Sequence, residues 1–382
     1  MRKSIWIVCT THMFIEVFYL TQVALIPVII EEFHLNLVEA SLVATIPSLG
    51  ALLTNIPAGF LADRLSADRV LFASMAIEGI SLLVVSRAEN FWMFVLALCF
   101  IRISDRLYHS SGLSTVSKVA DQNQLNMALG LHNAFGNLGS AVGVLSLATF
   151  LSILGWRWVY VFWAGPVLAW AAIVLTSSEL KSTRSGRTEE IRGTASLSSI
   201  SEIFCYAFSI FLIAIIVREI GSTALSTFMT TYFVTSMGLS ESLASMIFGV
   251  GPIMGIIGAL AGGYLGDRVG SKKALSLTIL GAVISLSLLA FMRELHLVAL
   301  VYLVYAFFTY TVWSPITAII AETTPSTARG LGYSVYFVAE GLMMSLAPVV
   351  AASVIELTEI WMIFPFSIGF LLASILIMQL LG

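Results

Sequence analysis

The sequence GFLADRLSADR at residues 59–69 recurs as GYLGDRVGSKK at residues 263–273, with glycine, acidic and basic residues at matching positions. Gly59 and Gly263 are 204 residues apart, and each copy closes the second of the helices predicted for its half of the chain. One such segment is weak evidence of a repeat, whereas two copies at equivalent positions are strong evidence. The pair predicts a chain built from two parallel repeats.

The composition around these copies is that of a membrane protein. Of the 382 residues, 58% are hydrophobic and 11% are charged, whereas a soluble domain is about 45–50% apolar and about 25% charged. Such a chain cannot cover a surface that faces water. The composition therefore excludes a soluble enzyme and a nucleic-acid-binding protein.

Apolar stretches long enough for a membrane-spanning helix, which needs about 20 residues, occur twelve times. We therefore predict an all-α membrane protein with twelve transmembrane helices in two pseudo-symmetric six-helix bundles. Parallel repeats of this kind place a binding site at their interface, near the bilayer midplane. The stretches cover residues 5–30, 38–60, 69–87, 91–117, 126–153, 156–177, 202–235, 241–265, 273–292, 296–320, 330–355 and 359–381.

The predicted domains are an N-terminal bundle at residues 1–176, a cytoplasmic linker at residues 177–201 and a C-terminal bundle at residues 202–382. The linker is the one long polar stretch, rich in Ser, Thr, Gly and charged residues. Lys and Arg outside the spans fall mostly on one side, which predicts cytoplasmic termini and a cell-membrane protein. That side holds thirteen of them, Arg2, Lys3, Arg64, Arg69, Lys118, Lys181, Arg184, Arg187, Arg192, Arg268, Lys272, Lys273 and Arg329, and the other side holds Arg87, Arg157 and Arg293.

The paired loops, the twelve helices, the basic linker and the sequence AETTPSTARG at residues 321–330 together resemble the major facilitator superfamily of transporters. The resemblance covers the whole chain. Two further sequences, LYHSSG at residues 107–112 and GLHNAFGNLG at residues 130–139, are similar to the fosmidomycin-resistance type of exporter within that superfamily. The resemblance implies secondary active transport by rocking of two six-helix bundles.

The repeated loops are expected to act as conformational latches. A carboxylate at a helix end can pair with a neighbouring Arg and with the positive N-terminus of a facing helix. That contact forms only when the cytoplasmic helix ends are close together. By resemblance, the latch residues are Gly59, Asp63, Arg64, Gly263, Asp267 and Arg268, and Gly262 is expected to share the close backbone approach of Gly59 and Gly263.

The fourth predicted helix carries Arg102, Asp105, Arg106 and His109 on one stripe, about 100° wide. Charges inside a bilayer are costly, so such a stripe cannot face lipid. Two arginines and one aspartate leave a positive charge in excess, which suits a carboxylate, phosphate or phosphonate. The alternative is an Arg–Asp network that only braces the helix. Arg102 also matches the arginine of the superfamily's fourth-helix motif, which the resemblance connects with proton handling.

The first helix places His12, Glu16 and Tyr19 within about 60° of one another. A histidine and a glutamate four residues apart can share a hydrogen bond and titrate together. Glu16 is therefore a candidate for proton coupling or substrate contact, with helix bracing as the alternative. His12 is a candidate proton carrier, although a lone histidine is more often structural.

The C-terminal half supplies a second set of candidates. Arg218 and Glu219 lie at nearly the same depth as Glu16 under the 204-residue offset, and one of them is expected to pair sideways. The further candidates for substrate or proton contact are Glu340, Tyr336 and Trp313, with Tyr302 and Thr309 on the same stripe as Trp313. For these aromatic side chains, the alternative to substrate contact is helix packing. Glu78, on the third helix, is expected to make a local hydrogen bond.

The function predicted from these features is proton-coupled antiport that exports a small organic compound, anionic or amphipathic. The alternative is a proton-coupled symporter or facilitator that imports an organic anion. A more remote one is a membrane sensor or intramembrane enzyme. The expected partners are the small-molecule substrate, protons and the lipid bilayer, without nucleic acid, and the chain is expected to be a monomer and not an enzyme. No cofactor or metal is expected, because neither the five histidines nor Cys9, Cys99 and Cys205 have ligand spacing.

Overall fold

The computed structural model describes residues 2–120, 125–181, 204–324 and 329–381, and the regular structure in these ranges is helical. The helices before residue 182 are α1 (Lys3–Glu16), α2 (Thr21–Ala24), α3 (Ile26–Phe33), α4 (Leu37–Arg64), α5 (Ala67–Ser86), α6 (Phe91–Val119), α7 (Leu125–Ile153), α8 (Arg157–Thr176) and α9 (Ser178–Lys181).

The helices after residue 203 follow the same pattern of long apolar segments. They are α10 (Tyr206–Thr235), α11 (Glu241–Val250), α12 (Ile253–Val269), α13 (Ser271–Phe291), α14 (Leu295–Thr311), α15 (Trp313–Thr323), α16 (Arg329–Glu356) and α17 (Ile363–Met378), with a 3-10 turn at Ile360–Met362. Most of the predicted linker, residues 182–201, lies outside the described ranges.

The chain divides into two compact units. The first contains α1 to α9 together with α11 up to Gly249, and the second contains α10 and α12 to α17. In the first unit α5 packs on α6 and α8, while α6 also packs on α4 and α1 packs on α7. In the second unit α10 packs on α16 and α17, and α14 packs on α12 and α13.

Eleven segments of the described ranges are long and apolar enough to cross a membrane. Helix α6 is a further long helix, and it is the one that carries Arg102, Asp105 and Arg106. Its 29 residues extend about 43 Å at about 1.5 Å per residue, beyond the roughly 30 Å of a bilayer core. Of the charged side chains that lower its hydropathy, Arg102 and Asp105 are buried and Arg106 is half-buried.

Local signals in the sequence set several helix starts. Asn36 accepts a hydrogen bond from the backbone of Glu39 at 2.7 Å, and the Glu39 carboxylate accepts one from the Asn36 backbone at 2.9 Å, so α4 begins with a capping box. Asn90 caps α6 by accepting from the backbone of Met93 at 3.0 Å. These caps satisfy N–H groups that the helix itself leaves without partners.

Three predicted spans are broken, which the sequence analysis did not anticipate. The tenth is divided at Val312 between α14 and α15, because Pro315 has no N–H to donate to the carbonyl of Thr311. The eighth is divided at residues 251–252, immediately before α12, where Pro252 again lacks the donor. The first is divided twice, and its first break follows Glu16.

Glycines of α7 allow α1 to approach very closely around that break. A Cβ atom on Gly139 would overlap the backbone carbonyl of Met13, and one on Gly143 would overlap that of Val17. The Val17 carbonyl also accepts a hydrogen bond from the Thr21 hydroxyl at 2.6 Å. Small residues let helix backbones come together in this way, and they fix the depth and rotation of α1 against α7.

At the N-terminus, Lys3 contacts the short helix α9. Its Nζ lies 3.0 Å from Glu179 Oε1. The hydrogen bond from Lys3 is the main reason that the pKa of Glu179 is lowered to about 2, with help from its backbone and from Ser177. The exposed carboxylate therefore stays charged at neutral pH.

Both copies of the repeat lie at helix junctions, the first between α4 and α5 and the second between α12 and α13. Gly262 packs against the Thr311 carbonyl, whereas among the described residues an added Cβ on Gly59 has no atom within 4 Å and one on Gly263 has Ser314 Oγ at 3.9 Å. The expected close approach is thus wrong for Gly59 and Gly263, because their faces of the helices are open.

The charged latch residues are exposed where the structure describes them. Arg64, Asp267 and Arg268 are exposed, and the Arg268 guanidinium lies 5.1 Å from the Tyr264 ring centre. The side chain of Asp63 lies outside the described part of the chain. The latch role of these residues therefore stays a prediction.

Candidate functional site

The predicted polar stripes of the first and fourth spans meet inside the first unit. His109 Nε2 of α6 lies 3.3 Å from Glu16 Oε1 of α1 and 3.0 Å from Asp105 Oδ1. Asp105 is also 2.8 Å from the Arg106 guanidinium, and Ser140 of α7 donates to Glu16 at 3.3 Å. One imidazole therefore bridges two carboxylates that belong to different helices.

The two carboxylates of the bridge are largely buried, whereas His109 and Arg106 are partly exposed. The side chains of Asp105 and Glu16 are 6% and 12% exposed, whereas those of His109 and Arg106 are 27% and 33% exposed. Electrostatic interactions are strong at such depth, because little water screens them. A small solute or a proton could reach the network from the side of His109 and Arg106.

His12 is held in a defined orientation beside Glu16. Its Nδ1 lies 2.7 Å from the backbone carbonyl of His132, which can only accept, so Nδ1 carries a hydrogen. Its Nε2 lies 3.4 Å from Glu16 Oε1. The two atoms lie within ion-pair range but do not make a hydrogen bond of normal geometry to each other.

A third histidine, His132 of α7, supports this arrangement and was not among the residues predicted from the sequence. The rings of His132 and His12 stack with their centres 3.9 Å apart. Tyr108 donates to the backbone carbonyl of Val8 at 2.9 Å, and its oxygen lies 2.9 Å from His132 Nε2, which then must be the donor. Both Tyr108 and His132 lie in the sequences that resemble the fosmidomycin-resistance exporters, which was a signal that could have identified them.

Tyr108→Phe is expected to destabilise the protein, because it leaves the buried His132 N–H without a partner and removes the side-chain hydrogen bond to the Val8 carbonyl. An unsatisfied buried polar group costs about 1–3 kcal/mol. The melting temperature of the purified protein measures the effect. Tyr206→Phe is the matched control, since Tyr206 is exposed and its hydroxyl makes only a 3.4 Å contact. Equal melting temperatures for the two variants would contradict this assignment.

Arg102 lies in the same unit but has different partners from Arg106. Its guanidinium carbon lies 4.4 Å from the centre of the Tyr19 ring. With its amide turned so that the oxygen faces the guanidinium, Gln22 accepts from Arg102 Nε at 3.2 Å and from a terminal nitrogen at 2.8 Å. Gln22 was missed from the sequence, although it follows Glu16 and Tyr19 at helical spacing.

Glu78 of α5 is fully buried. Neither of its oxygens makes a hydrogen bond of normal geometry to the described residues, so the expected local hydrogen bond is not present. It lies near Ser104 of α6 and within electrostatic range of Asp105 and Arg102. Burying a carboxyl group without a hydrogen-bond partner at such depth is unfavourable.

Three side chains of this network also lie close enough together to be considered as metal ligands. One ligand-type atom from each of His12, Glu16 and His109 lies within 4.8 Å of the other two. The helix packing brings them together although they have no ligand spacing along the chain. Ion pairing of both histidines with Glu16, and the hydrogen bond between His109 and Glu16, account for these distances.

In the second unit, Arg218 and Glu219 of α10 are buried and pair with each other. Tyr336 donates to Glu340 at 2.7 Å, one turn along α16, and both are buried. Trp313 begins α15 and is 41% exposed. The stripe predicted for Tyr302, Thr309 and Trp313 crosses the junction at Val312, which keeps helical dihedral angles, and its role stays a prediction.

Comparison with known proteins agrees with this architecture. The family description Major Facilitator Superfamily matches residues 8–348. The fosmidomycin resistance protein of Escherichia coli (strain K12) is 22% identical over 306 residues, covering 79% of this chain and 74% of the relative. The probable nitrate/nitrite antiporter NarK1 of Thermus thermophilus is 24% identical over 280 residues, covering 70% of this chain and 61% of the relative.

Among solved structures, a bacterial homolog of the human lysosomal transporter Spinster, in an inward-facing and occupied conformation, superimposes with a TM-score of 0.81. The match covers 99% of this chain and 96% of that one at 14% identity, and at this identity it bears on the fold alone. The predicted all-α membrane fold and the resemblance on which it was based are confirmed. The chain belongs to the major facilitator superfamily and is a multi-pass membrane transporter, not an enzyme.

Proposed function

We propose that this transporter is a proton-coupled antiporter, which exports a small organic compound by alternating access. The observation that carries the proposal is the bridge of His109 between Glu16 and Asp105, with His12 Nε2 lying 3.4 Å from Glu16. Ionisable groups within spans are costly and commonly mark proton relays and substrate paths. We further propose cytoplasmic termini, residence in the cell membrane and a monomeric state.

Antiport requires that proton and cargo compete for one group, and Glu16 fits that requirement. An ionised Glu16 can accept a hydrogen bond from a hydroxyl, amide or amine of the cargo. A protonated Glu16 that donates within the network is a poorer acceptor. Binding of the cargo donor and binding of the proton are then mutually opposed, and by linkage each weakens the other to the same degree.

The arginines add a preference for an anionic group on the same cargo. Arg102 and Arg106 both lie on α6 beside the same network, and guanidinium groups bind carboxylates and phosphonates through paired hydrogen bonds. The relative named as a fosmidomycin resistance protein supports export of an organic compound. We therefore propose a cargo with one anionic group and one hydrogen-bond donor.

A second candidate is proton-linked import of an anion. An anion that is attracted by the arginines without touching Glu16 would bind better when the carboxylates are protonated. Proton and cargo would then move together. The relative named as a probable nitrate/nitrite antiporter supports only the anionic cargo of this candidate, because nitrate is an anion without a hydrogen-bond donor.

Reconstituted vesicles with a pH-sensitive dye inside distinguish the candidates. Phosphonates, carboxylates, sugars and lipophilic cations are first screened for a rise in the melting temperature of the purified protein. A gradient of each stabilising compound is then imposed. Antiport predicts proton movement against the direction of the compound, and movement in the same direction would support import. No proton movement with any transported compound would contradict proton coupling itself.

A further inference from the structure

We infer that Arg102, rather than Arg106, is the binding group for a small oxyanion in the first unit, with Gln22 and Tyr19 as the residues that position it. The inference rests on the proposed function in one respect, since it identifies where the anionic group of the cargo binds. It follows from three differences between the two arginines.

The first difference is charge compensation. Arg106 lies 2.8 Å from Asp105, so its positive charge is largely cancelled by a carboxylate in contact. Within the described ranges, Arg102 has no carboxylate within the 4.0 Å of an ion pair. Glu78 and Asp105 act on it only from a longer distance. A buried guanidinium without a paired carboxylate attracts an anion more strongly than a compensated one.

The second difference is the chemistry of the neighbours. Gln22 and Tyr19 are both neutral, and they bind the guanidinium without neutralising it. Gln22 accepts hydrogen bonds from Nε and one terminal nitrogen of Arg102, and the Tyr19 ring covers one face of the guanidinium plane. A guanidinium has five N–H donors in a fixed fork. The N–H groups of the remaining edge donate to no described residue, and they match the two oxygens of a carboxylate, nitrate or phosphonate.

The third difference is orientation. Arg102 is 7% exposed and is fixed by groups on the segment that follows the α1 break, Tyr19 in the turn and Gln22 on α2. Arg106 is 33% exposed at its side chain and contacts the neighbouring residue of its own helix. A donor fork that is already oriented loses less entropy when an anion binds. The break in the first span therefore has a role, because it brings Gln22 and Tyr19 to Arg102.

The choice of an amide at position 22 is central to this inference. A glutamate has nearly the same shape as glutamine and could accept the same two hydrogen bonds from Arg102. Its charge, however, would permanently satisfy Arg102 and compete with any incoming anion. Gln22→Glu should therefore abolish anion binding while preserving the local packing, and Arg102→Lys should weaken it by removing the planar fork.

The test measures anion binding directly, without transport. The purified protein is titrated with nitrate, acetate or methylphosphonate against chloride at constant ionic strength, and the melting temperature is followed. Arg102→Lys removes the planar fork and Gln22→Glu neutralises it, so each should raise the half-saturating concentration at least about tenfold. Arg106→Lys should change it less than about threefold. Arg87→Lys, on an exposed helix end, is the matched control.

The outcomes are distinct. If Arg106→Lys weakens binding as much as Arg102→Lys does, the assignment to Arg102 is wrong. If none of the three anions stabilises the unmodified protein, there is no oxyanion site and the inference fails. Gln22→Glu keeps the inference testable should Arg102→Lys fail to fold. Proton coupling is measured separately in the vesicles, so failure of one result leaves the other interpretable.

Discussion

Glu16→Gln is expected to abolish transport driven by a pH gradient while leaving some exchange of cargo for cargo. The amide has nearly the same shape as the carboxylate but cannot take up or release a proton. It keeps a contact for His109 and Ser140, so the network should fold. Coupling between two ligands is typically worth 1–3 kcal/mol, and we expect driven transport to fall by roughly tenfold or more.

Two measurements on the same vesicles check this result. Uptake under an imposed pH gradient should be lost in Glu16→Gln, and counterflow with equal pH on both sides should persist. Glu294→Gln, at an exposed loop before α14, is the matched control and should behave like the parent. Unchanged dependence on pH in Glu16→Gln would remove Glu16 from its proposed role, and loss of both activities would assign it to cargo binding alone.

The second large effect is structural and concerns the contact between α1 and α7. Gly139→Ala is expected to reduce the yield of folded protein and to lower its melting temperature by about 5 °C or more. The added methyl group would overlap the Met13 carbonyl, which is backbone and cannot rotate away. Overpacking of this kind costs about 1–3 kcal/mol, occasionally more. Gly143→Ala should behave similarly against the Val17 carbonyl.

Gly130→Ala provides the control on the same helix. A Cβ there has no atom within 4 Å, and the residue is exposed. Because alanine favours a helix over glycine, this variant should be as stable as the parent or slightly more so. Melting followed by the loss of the monodisperse peak in gel filtration measures all three variants. Equal stability of Gly130→Ala and Gly139→Ala would contradict the close approach of α1 and α7.

Much of the fold was predictable because a membrane-spanning helix needs a long apolar stretch, which is easily recognised in a sequence. Each apolar stretch long enough to span a bilayer became one, two or three successive helices, since backbone groups in lipid must be satisfied internally. Caps such as Asn36 and Asn90 could be read from residue type alone. The break after Glu16 could not, because no proline marks it and it depends on contacts of α1 with α7.

The candidate site was predictable in part for the same reason. The angular stripe of Asp105 and His109 on α6, and of His12 and Glu16 on α1, follows from helical periodicity. Their mutual distances do not, because periodicity says nothing about which helix lies opposite. Gln22, Tyr108 and His132 were missed as site residues since they are neutral polar or aromatic side chains, which composition and hydropathy do not single out.

By itself, the sequence determined that this chain crosses a membrane many times, that it is duplicated, and which ionisable residues are costly enough there to require a reason. Only the tertiary structure decided how these residues are paired: His109 between two carboxylates, Arg106 with Asp105, and Arg102 with an amide and an aromatic ring. Helical periodicity fixes the face on which a side chain lies. Its partner depends on the depth, rotation and breaks of the neighbouring helices, and those are set by close contacts such as that of Gly139 with Met13.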